Sequence, residues 1–349
     1  MKKILLATFI SILAISFLSP HIMNIFLEES AFYWNWTKDR DYKAKNYKLI
    51  ILGDSQWISG LNLDEFSKIS NINQDDILII AKPSQQPEGI ELDLDEIWSK
   101  GIQSDIYWIN LSPTNVTKSD VYQAHKPLQL NFGRKSYRIL WKTDLWKSYY
   151  TDASSFLFHL VSIAFPIVVF NSQVSAPARI LPMVDGINSD SNILQDVLGR
   201  DPIQILKERR KNNEYLISIL PKQGLWEWRN YEGSSKECNG KDIRAKLPKE
   251  MGLAFSNIRK TSIDSLIRIQ SQIHRRNEKT IFVKIPFSPE MEELETIFPI
   301  VWNDLTKQAT DAEFIEVPNE IFDTGDFTDY THLNSCGSTK LSRWLGKKL

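Results

Sequence analysis

The chain has 349 residues, 42% of them hydrophobic and 24% charged, which is enough apolar material for one large α/β domain with insertions or for two smaller units. Its 42 Lys and Arg residues nearly balance its 43 Asp and Glu residues, giving a formal net charge of -1. Binding to nucleic-acid phosphates needs a basic excess on some face, so this balance argues against a nucleic-acid partner.

Two lysines, at positions 2 and 3, precede a long apolar run. The run Ile4–Leu18 is interrupted at Ser19-Pro20-His21 and resumes to residue 27. About 20 apolar residues cross a bilayer, and lysines before the run orient its start towards the cytoplasm. We therefore predict a signal anchor or transmembrane helix over residues 1–29. A cleaved signal peptide is the alternative, because Ile4–Leu18 alone has the length of such a segment.

Further along, short apolar runs alternate with segments of helical pattern. The runs are nearly continuous in apolar residues, as strands covered on both faces are, and Gly or Pro stops each of them. Strands that alternate with helices favour a parallel sheet, so we predict a three-layer α/β/α domain around a central parallel sheet. The predicted strands are Lys48–Leu52, Asp76–Ala81, Asp105–Leu111, Thr280–Ile285 and Ala312–Val317, and the predicted helices are Leu63–Ile69, Leu92–Trp98, Ser262–Arg275 and Glu290–Lys307.

The middle of the chain breaks this alternation. We predict one catalytic domain over residues 30–349, with a long helical insertion at about 117–259 between the third and fourth strands. The insertion contains the apolar run Phe156–Phe170, which is short for a membrane span and lacks basic flanks. We interpret this run as a helix that is either buried or held at a membrane surface.

Two polar motifs follow the first and the last predicted strand. Gly53-Asp54-Ser55 comes directly after the first strand, and Asp329 stands three residues before His332 after the fifth. The carboxyl ends of parallel strands meet at one edge of the sheet, where ligands bind. Serine needs a general base to act as a nucleophile, and a carboxylate can orient the histidine that serves it. Each motif alone is common in turns and helix caps, but their joint placement predicts a serine nucleophile with its base.

These motifs read Leu-Gly-Asp-Ser-Gln at residues 52–56 and Phe-Thr-Asp-Tyr-Thr-His-Leu-Asn at residues 327–334, with Gly337 behind them. They resemble the first and last blocks of the SGNH (GDSL-like) hydrolase superfamily. With the N-terminal apolar run, the chain is most similar to the membrane-anchored, envelope-modifying branch that contains the D-alanyl-lipoteichoic acid transfer protein and the alginate O-acetylation proteins. The resemblance covers about residues 46–116 and 278–349, and it implies a flavodoxin-like SGNH fold with Ser55 as nucleophile, His332 as base and Asp329 as orienting acid.

The resemblance also implies an oxyanion hole that this chain matches only in part. The backbone amide of Ser55 is one expected donor. The family has a glycine after the second strand, but this chain has none there, so Ser84 or Gln85 must supply the amide. After the third strand we expect Asn115 to be the side-chain donor, with Asn110 as the alternative.

Three hypotheses follow for the function. The first is an extracytoplasmic serine esterase or O-acyltransferase that acts on acyl esters, acetyl above all, of cell-envelope polysaccharide through an acyl-Ser55 intermediate, beside an integral-membrane acyltransferase partner. The second is a non-enzymatic SGNH-fold scaffold that binds envelope glycan or such a partner. The third is a parallel α/β binding domain with a coincidental motif, in which Ser55 and His332 lie far apart.

No cofactor and no metal ion is predicted. The chain has no glycine-rich phosphate loop, and the histidines other than His332 have no partner at metal-ligand spacing. The two cysteines, Cys238 and Cys336, are too few for a disulfide framework. The sequence leaves open whether they form one bridge or stay reduced.

Overall fold

The computed structural model describes residues 8, 10–18, 44–81, 85–112, 116–118, 134–150, 152–165, 257–289, 298–327 and 331–349. The chain divides into two compact units. We call one the helical unit (Met1–Lys38 and Leu128–Ile217) and the other the sheet unit (Asp39–Pro127 and Ser218–Leu349). The predicted boundaries at residue 30 and at about 117–259 stay predictions.

A five-stranded parallel sheet forms the centre of the sheet unit. In spatial order its strands are β3 (Ile77–Ala81), β2 (Leu49–Gly53), β5 (Ile106–Leu111), β8 (Lys279–Lys284) and β9 (Ala312–Glu316). All neighbouring pairs are parallel. The five predicted strands and the parallel sheet are confirmed, each boundary falling within one residue of its prediction.

The order of the strands reverses its direction at one defined point of the sheet. The first long strand, β2, lies between the second, β3, and the third, β5, so the chain moves to one side of β2 to form β3 and then crosses to the other side to form β5. Ligands of open parallel sheets bind at such a switch point, beyond the carboxyl ends of the strands. The residue that follows β2 is therefore in the position where a ligand site is expected.

Helices cover both faces of this sheet. Among the described residues from position 44 onwards, the helices in chain order are α1 (Ser55–Gly60), α2 (Leu63–Ser70), α3 (Pro87–Ser99), α4 (Thr143–Tyr149), α5 (Ala153–Ala164), α6 (Lys260–His274), α7 (Phe298–Gln308) and α8 (Ser335–Gly346). Helices α4 and α5 belong to the helical unit, and the others belong to the sheet unit. Short 3-10 helices lie at Gln74–Asp76, Arg134–Trp141, Asn319–Ile321 and Thr324–Asp326.

Side chains alternate along each strand and so pack into two separate layers. On one face, Ile50 and Leu52 of β2 join the apolar residues of α3, α6 and α7 in one buried cluster. On the other face, Trp108 of β5 stacks on Trp57 of α1, with ring centroids 6.1 Å apart, and meets the edge of Phe66 of α2. Helix α8 packs against α1 and α2. The predicted three-layer α/β/α arrangement is confirmed.

Two short strand pairs lie outside the central sheet. Strand β1 (Asn46–Tyr47) pairs in parallel with β4 (Gln103–Ser104). Strand β6 (Thr117–Lys118) pairs antiparallel with β7 (Asn257–Ile258), so the chain returns after residue 256 beside the point that it left after residue 118.

A buried ion pair holds this return point to α3. Arg259 follows β7, and its backbone N–H donates to the carbonyl of Val116 at 2.8 Å. Its guanidinium donates to both carboxylate oxygens of Glu88 at 2.7 Å, and Glu88 is fully buried. Both bonds come from Nη2, and this short charge-assisted pair neutralises both charges and holds the two segments together.

The helical unit contains a helical segment at residues 10–18, the 3-10 helix Arg134–Trp141, and α4 and α5. Helix α5 covers the start of the apolar run that we interpreted as a buried or membrane-surface helix. Most of the predicted anchor, residues 1–7, 9 and 19–29, lies outside the described residues. Within the part of the chain that the structure describes, the helices are too short or too polar to cross a membrane.

Candidate active site

The Gly-Asp-Ser motif forms the turn between β2 and α1. Ser55 is the first residue of α1, and Asp54 caps the helix by accepting a hydrogen bond from the backbone N–H of Gln56 at 2.9 Å. Gly53 has a φ of +153°, and a Cβ atom at this position would lie 1.6 Å from Oδ1 of Asn110. The turn therefore requires glycine, because the side chain of Asn110 occupies the space beside it.

A buried polar network surrounds the carboxylate of Asp54. Nδ2 of Asn110 donates to its Oδ1 at 2.7 Å, and Oγ of Ser112 donates to its Oδ2 at 3.0 Å. Burial raises the pKa of Asp54, while hydrogen bonds from Gln56, Ser112 and Asn110 and the nearby charge of His332 act in the opposite direction. Three donors converge on this carboxylate, so the surroundings are built for an acceptor and fix the turn that carries Ser55.

The loop that carries the histidine is held at both ends. Phe327 and Leu333, which are both buried, form an antiparallel bridge across its base. Asn334 then caps α8, its Oδ1 accepting from the backbone N–H groups of Cys336 at 3.0 Å and Gly337 at 3.1 Å. A Cβ atom on Gly337 would lie 2.3 Å from the carbonyl oxygen of Asp326, so glycine is needed for the close approach of α8 to this loop.

Ser55 and His332 meet at the carboxyl end of β2. The Oγ atom of Ser55 lies 2.7 Å from Nε2 of His332, and both residues are only half buried, so they remain accessible. Oγ1 of Thr331 is 3.1 Å from the other ring nitrogen, Nδ1. When Nε2 accepts the serine proton, Nδ1 carries the ring proton. This contact is inconsistent with the hypothesis that Ser55 and His332 lie far apart.

Gln56 contributes a further link between the two motifs. Its buried side-chain amide donates to the carbonyl of Ile285, after β8, at 3.4 Å and to the carbonyl of Thr331 at 3.5 Å. The residue next to Ser55 thus contacts the backbone next to His332. At 3.4 and 3.5 Å these are weak hydrogen bonds, which add to the packing between the two motifs.

The other predicted site residues are placed as follows. Asp329, Ser84 and Asn115 lie outside the described residues. Gln85 is buried, and its side chain donates to Oδ2 of Asp93 at 2.6 Å, so that side chain is committed to α3. The amide of Ser55 lies in the first turn of α1, where backbone N–H groups have no partner within the helix. The assignment of oxyanion donors stays a prediction.

Asn110, which we named as the alternative oxyanion donor, has its side chain hydrogen-bonded to Asp54. Both ends of its side chain bind Asp54, since its Oδ1 also accepts from the backbone N–H of Asp54 at 3.0 Å. Sequence reasoning missed this supporting set of Asn110, Ser112 and Gln56. A signal was present, because Asn110 and Ser112 are polar residues at alternate positions at the end of an otherwise apolar strand.

Two further observations concern metal ions and cysteines. Within the described ranges, no cluster of three or more His, Cys, Asp or Glu side chains could hold a metal ion. Cys336, in the first turn of α8, is disulfide-bonded, and Cys238 is the only other cysteine in the sequence. Cys238 lies outside the described residues.

No protein-family model matches the chain, and no curated protein matches it. Among solved structures, it is similar to an acetyl xylan esterase from the rumen bacterium Butyrivibrio proteoclasticus, with 9% sequence identity and a TM-score of 0.32. The alignment covers 89% of this chain and 65% of that enzyme's chain, so this protein spans less than two thirds of its length.

Proposed function

We propose that this chain is an extracytoplasmic serine esterase or O-acyltransferase of the SGNH type. The observation that supports the proposal is the contact of 2.7 Å between Oγ of Ser55 and Nε2 of His332 at the switch point of the parallel sheet. A hydroxyl within hydrogen-bond reach of an imidazole, in an accessible position, is the minimal arrangement for nucleophilic catalysis.

The proposed reaction has two halves. Oγ of Ser55 attacks the carbonyl carbon of an ester while Nε2 of His332 takes the serine proton, and the imidazolium then gives this proton to the departing alcohol. The acyl group is left on Ser55. In the second half His332 takes a proton from water or from a sugar hydroxyl, whose oxygen attacks the acyl carbon, and then returns the proton to Ser55. Water as acceptor makes the protein an esterase, and a sugar hydroxyl makes it an acyltransferase.

The neighbours of the pair have supporting roles in this proposal. The network around Asp54 fixes the turn that presents Ser55, and the cap at Asn334 fixes the loop that presents His332. Asp329 orients the imidazole and stabilises its charged form. The amide of Ser55, with Ser84 or Gln85 and with Asn115, receives the negative charge that develops on the substrate oxygen.

The proposed location is the outer side of a membrane, with the first 29 residues as the anchor. The two N-terminal lysines and the apolar run support this orientation. The disulfide at Cys336 supports it too, because disulfides persist in oxidising compartments. The proposed substrates are acylated, above all acetylated, polysaccharides of the cell envelope, and an integral-membrane acyltransferase is the proposed partner.

The test is activity-based labelling of the full chain. A fluorophosphonate probe and 4-nitrophenyl acetate are applied to the wild type, to Ser55→Ala and to the control Ser99→Ala, which removes an exposed hydroxyl at the end of α3. We expect the wild type and the control to be labelled and to cleave the ester, and Ser55→Ala to do neither while keeping its circular dichroism spectrum. Adding a sugar acceptor then separates acyl transfer from hydrolysis by the product formed.

The scaffold hypothesis gives the opposite outcome. A protein that only binds glycan or a membrane partner has no activated serine, so the folded wild type would stay unlabelled and inactive. Ester cleavage that survives in Ser55→Ala would equally remove Ser55 from the reaction.

A further inference from the structure

The helical segment at residues 10–18 exposes large apolar side chains on all its sides. Ile10, Ile12, Leu13 and Ile15 are 56%, 47%, 52% and 55% exposed. At about 100° per residue these four positions point in directions spread around the helix axis. A helix that is apolar all round is stable inside a protein core or in lipid, and these side chains are not in a core.

Helix α5 lies against this segment, and it buries polar side chains while it exposes apolar ones. Oγ of Ser16 donates to the carbonyl of Ala164, the last residue of α5, at 2.6 Å. The buried residues of α5 are polar, namely Ser155, His159 and Ser162, whereas Phe156, Leu157 and Leu160 are exposed. Helices on the surface of a water-soluble domain bury their apolar face, so this arrangement fits an apolar surrounding.

The polar side chains of α5 form hydrogen bonds with other residues of the helical unit. Nε2 of His159 is 2.8 Å from Oγ of Ser136, and Nδ1 is 2.6 Å from the hydroxyl of Tyr150. Oγ of Ser162 donates to the carbonyl of His159 at 2.7 Å. These bonds hold the 3-10 helix and the residue after α4 against the inner side of α5, and they leave the apolar side facing outwards.

The segment that His159 holds in place is basic and rich in tryptophan. Residues 134–149 contain five basic residues and one acidic residue, which are Arg134, Lys135, Arg138, Lys142 and Lys147 against Asp144. Trp141 is 81% exposed and Trp146 is 41% exposed. Tryptophan concentrates at the level of lipid headgroups, and basic side chains are attracted to anionic headgroups.

We propose that α5 and residues 134–149 form a second membrane contact, with the apolar side of α5 in one leaflet of a bilayer and residues 134–149 at its anionic headgroups. Helix α5 has 12 residues and is therefore about 18 Å long, too short for a hydrocarbon core of about 30 Å. A short helix with one apolar side, beside a basic segment with exposed tryptophans, is suited to enter one leaflet from the headgroup level without spanning the bilayer. This contact is additional to the N-terminal anchor and independent of the chemistry at Ser55.

The test is hydrophobic photolabelling of the full chain in lipid vesicles, with and without phosphatidylglycerol. A diazirine that partitions into the acyl region is activated by light, and the adducts are located by peptide mass spectrometry. We expect adducts on residues 1–29 and also on α5, with those on α5 increased by phosphatidylglycerol. Adducts confined to residues 1–29 would overturn the proposal, and so would an unlabelled chain.

Two variants and a matched control sharpen the test. Leu157→Asp combined with Leu160→Asp should reduce the labelling of α5 about tenfold and leave that of residues 1–29 unchanged. Lys142→Gln combined with Lys147→Gln should weaken the effect of phosphatidylglycerol by about fivefold for each lysine. Leu349→Asp, at an exposed leucine of the sheet unit, should change neither.

Two other outcomes separate this proposal from its rivals. If the apolar face instead binds a second copy of the chain, cross-linking will give a fraction of dimers that increases with protein concentration. In that case α5 will stay unlabelled in vesicles, and the proposal is overturned. Labelling by the fluorophosphonate probe is measured in the same samples. A chain that docks as expected but lacks a reactive Ser55 would refute the proposed function and leave the membrane contact standing.

Discussion

Asp54 and Asn110 bind each other through two hydrogen bonds of opposite direction. The backbone N–H of Asp54 donates to Oδ1 of Asn110 at 3.0 Å, and Nδ2 of Asn110 donates to Oδ1 of Asp54 at 2.7 Å. Both residues are buried. Because Asp54 follows β2 and Asn110 lies in β5, this pair fastens the serine turn to the neighbouring strand.

We therefore expect Asn110→Ala to disturb the site without removing any reacting group. The change leaves the carboxylate of Asp54 with fewer donors in a buried position, which costs about 1–3 kcal/mol of unfolding free energy. Displacement of the turn should lower kcat for 4-nitrophenyl acetate more than it changes KM. Urea unfolding and steady-state kinetics measure the two effects. Asn303→Ala, at an exposed position of α7, is the control and should alter neither.

Gly53→Ala should be among the most damaging single-methyl additions in the chain. Its Cβ would lie 1.6 Å from Oδ1 of Asn110, so the network must break or the strand must move. We expect a loss of at least about 3 kcal/mol in the free energy of unfolding. Gly101→Ala is the matched control, since Gly101 also has a positive φ, of 74°, but a Cβ there would meet only Ala44 at 3.9 Å. Equal losses at the two sites would show that the clash with Asn110 does not matter.

His332→Gln should abolish the activity that we propose while leaving the fold intact. The residue is half buried in a surface loop, so its replacement removes the proton acceptor of Ser55 and little packing. Loss of the base in serine hydrolases lowers kcat by about 10⁴-fold or more. The reaction with the fluorophosphonate probe should slow in parallel. His274→Gln, at an exposed histidine of α6, should retain full activity; a normal rate in His332→Gln would contradict the assigned role.

The helical unit should lose stability in mild acid. Burial lowers the pKa of His159 from 6.5 to about 4, so the folded state binds this proton less readily than the unfolded state does. The stabilisation from the neutral ring is thus complete above pH 6.5 and is lost as the pH falls from there to about 4, by on the order of 2 kcal/mol once solvent screening is allowed for. Hydrogen exchange at residues 134–164 measures this loss. In His159→Gln the dependence on pH over that interval should vanish.

Replacing Arg259 alone should destabilise the protein more than replacing both members of the buried pair of Glu88 and Arg259. Arg259→Met leaves the carboxylate of Glu88 buried without its cation and should cost about 3–5 kcal/mol. Adding Glu88→Leu to that variant should recover most of the loss. Lys279→Met breaks the exposed pair with Glu313 and should cost less than about 1 kcal/mol. Denaturant midpoints of the four proteins give the comparison, and a double variant no more stable than Arg259→Met alone would refute it.

The sheet could be predicted from the sequence because its strands are buried on both faces and read as uninterrupted apolar runs. The positions of Ser55 and His332 could be predicted to the edge of that sheet, because strand ends in a parallel sheet share one side. The hydrogen-bond partners of Asp54 could not be predicted from the sequence. Asn110 and Ser112 have a meaning only once β2 and β5 are neighbours, and strand order is not encoded in the pattern of any single strand.

The polarity of α5 shows a different limit of sequence reasoning. The run around His159 was apolar enough to predict a helix, but its composition could not tell which side faces inwards. The answer depends on Ser136 and Tyr150, which bind His159 from two separate segments. Only their contacts reveal that the polar residues are inside.

The pairing of β6 with β7 brings the two ends of the long stretch between them together. Lys118 and Asn257 are direct neighbours across an antiparallel ladder, and two residues in a tight turn are enough to join such strands. The length of the chain between residues 118 and 257 can therefore vary without changing how β5 connects to α6.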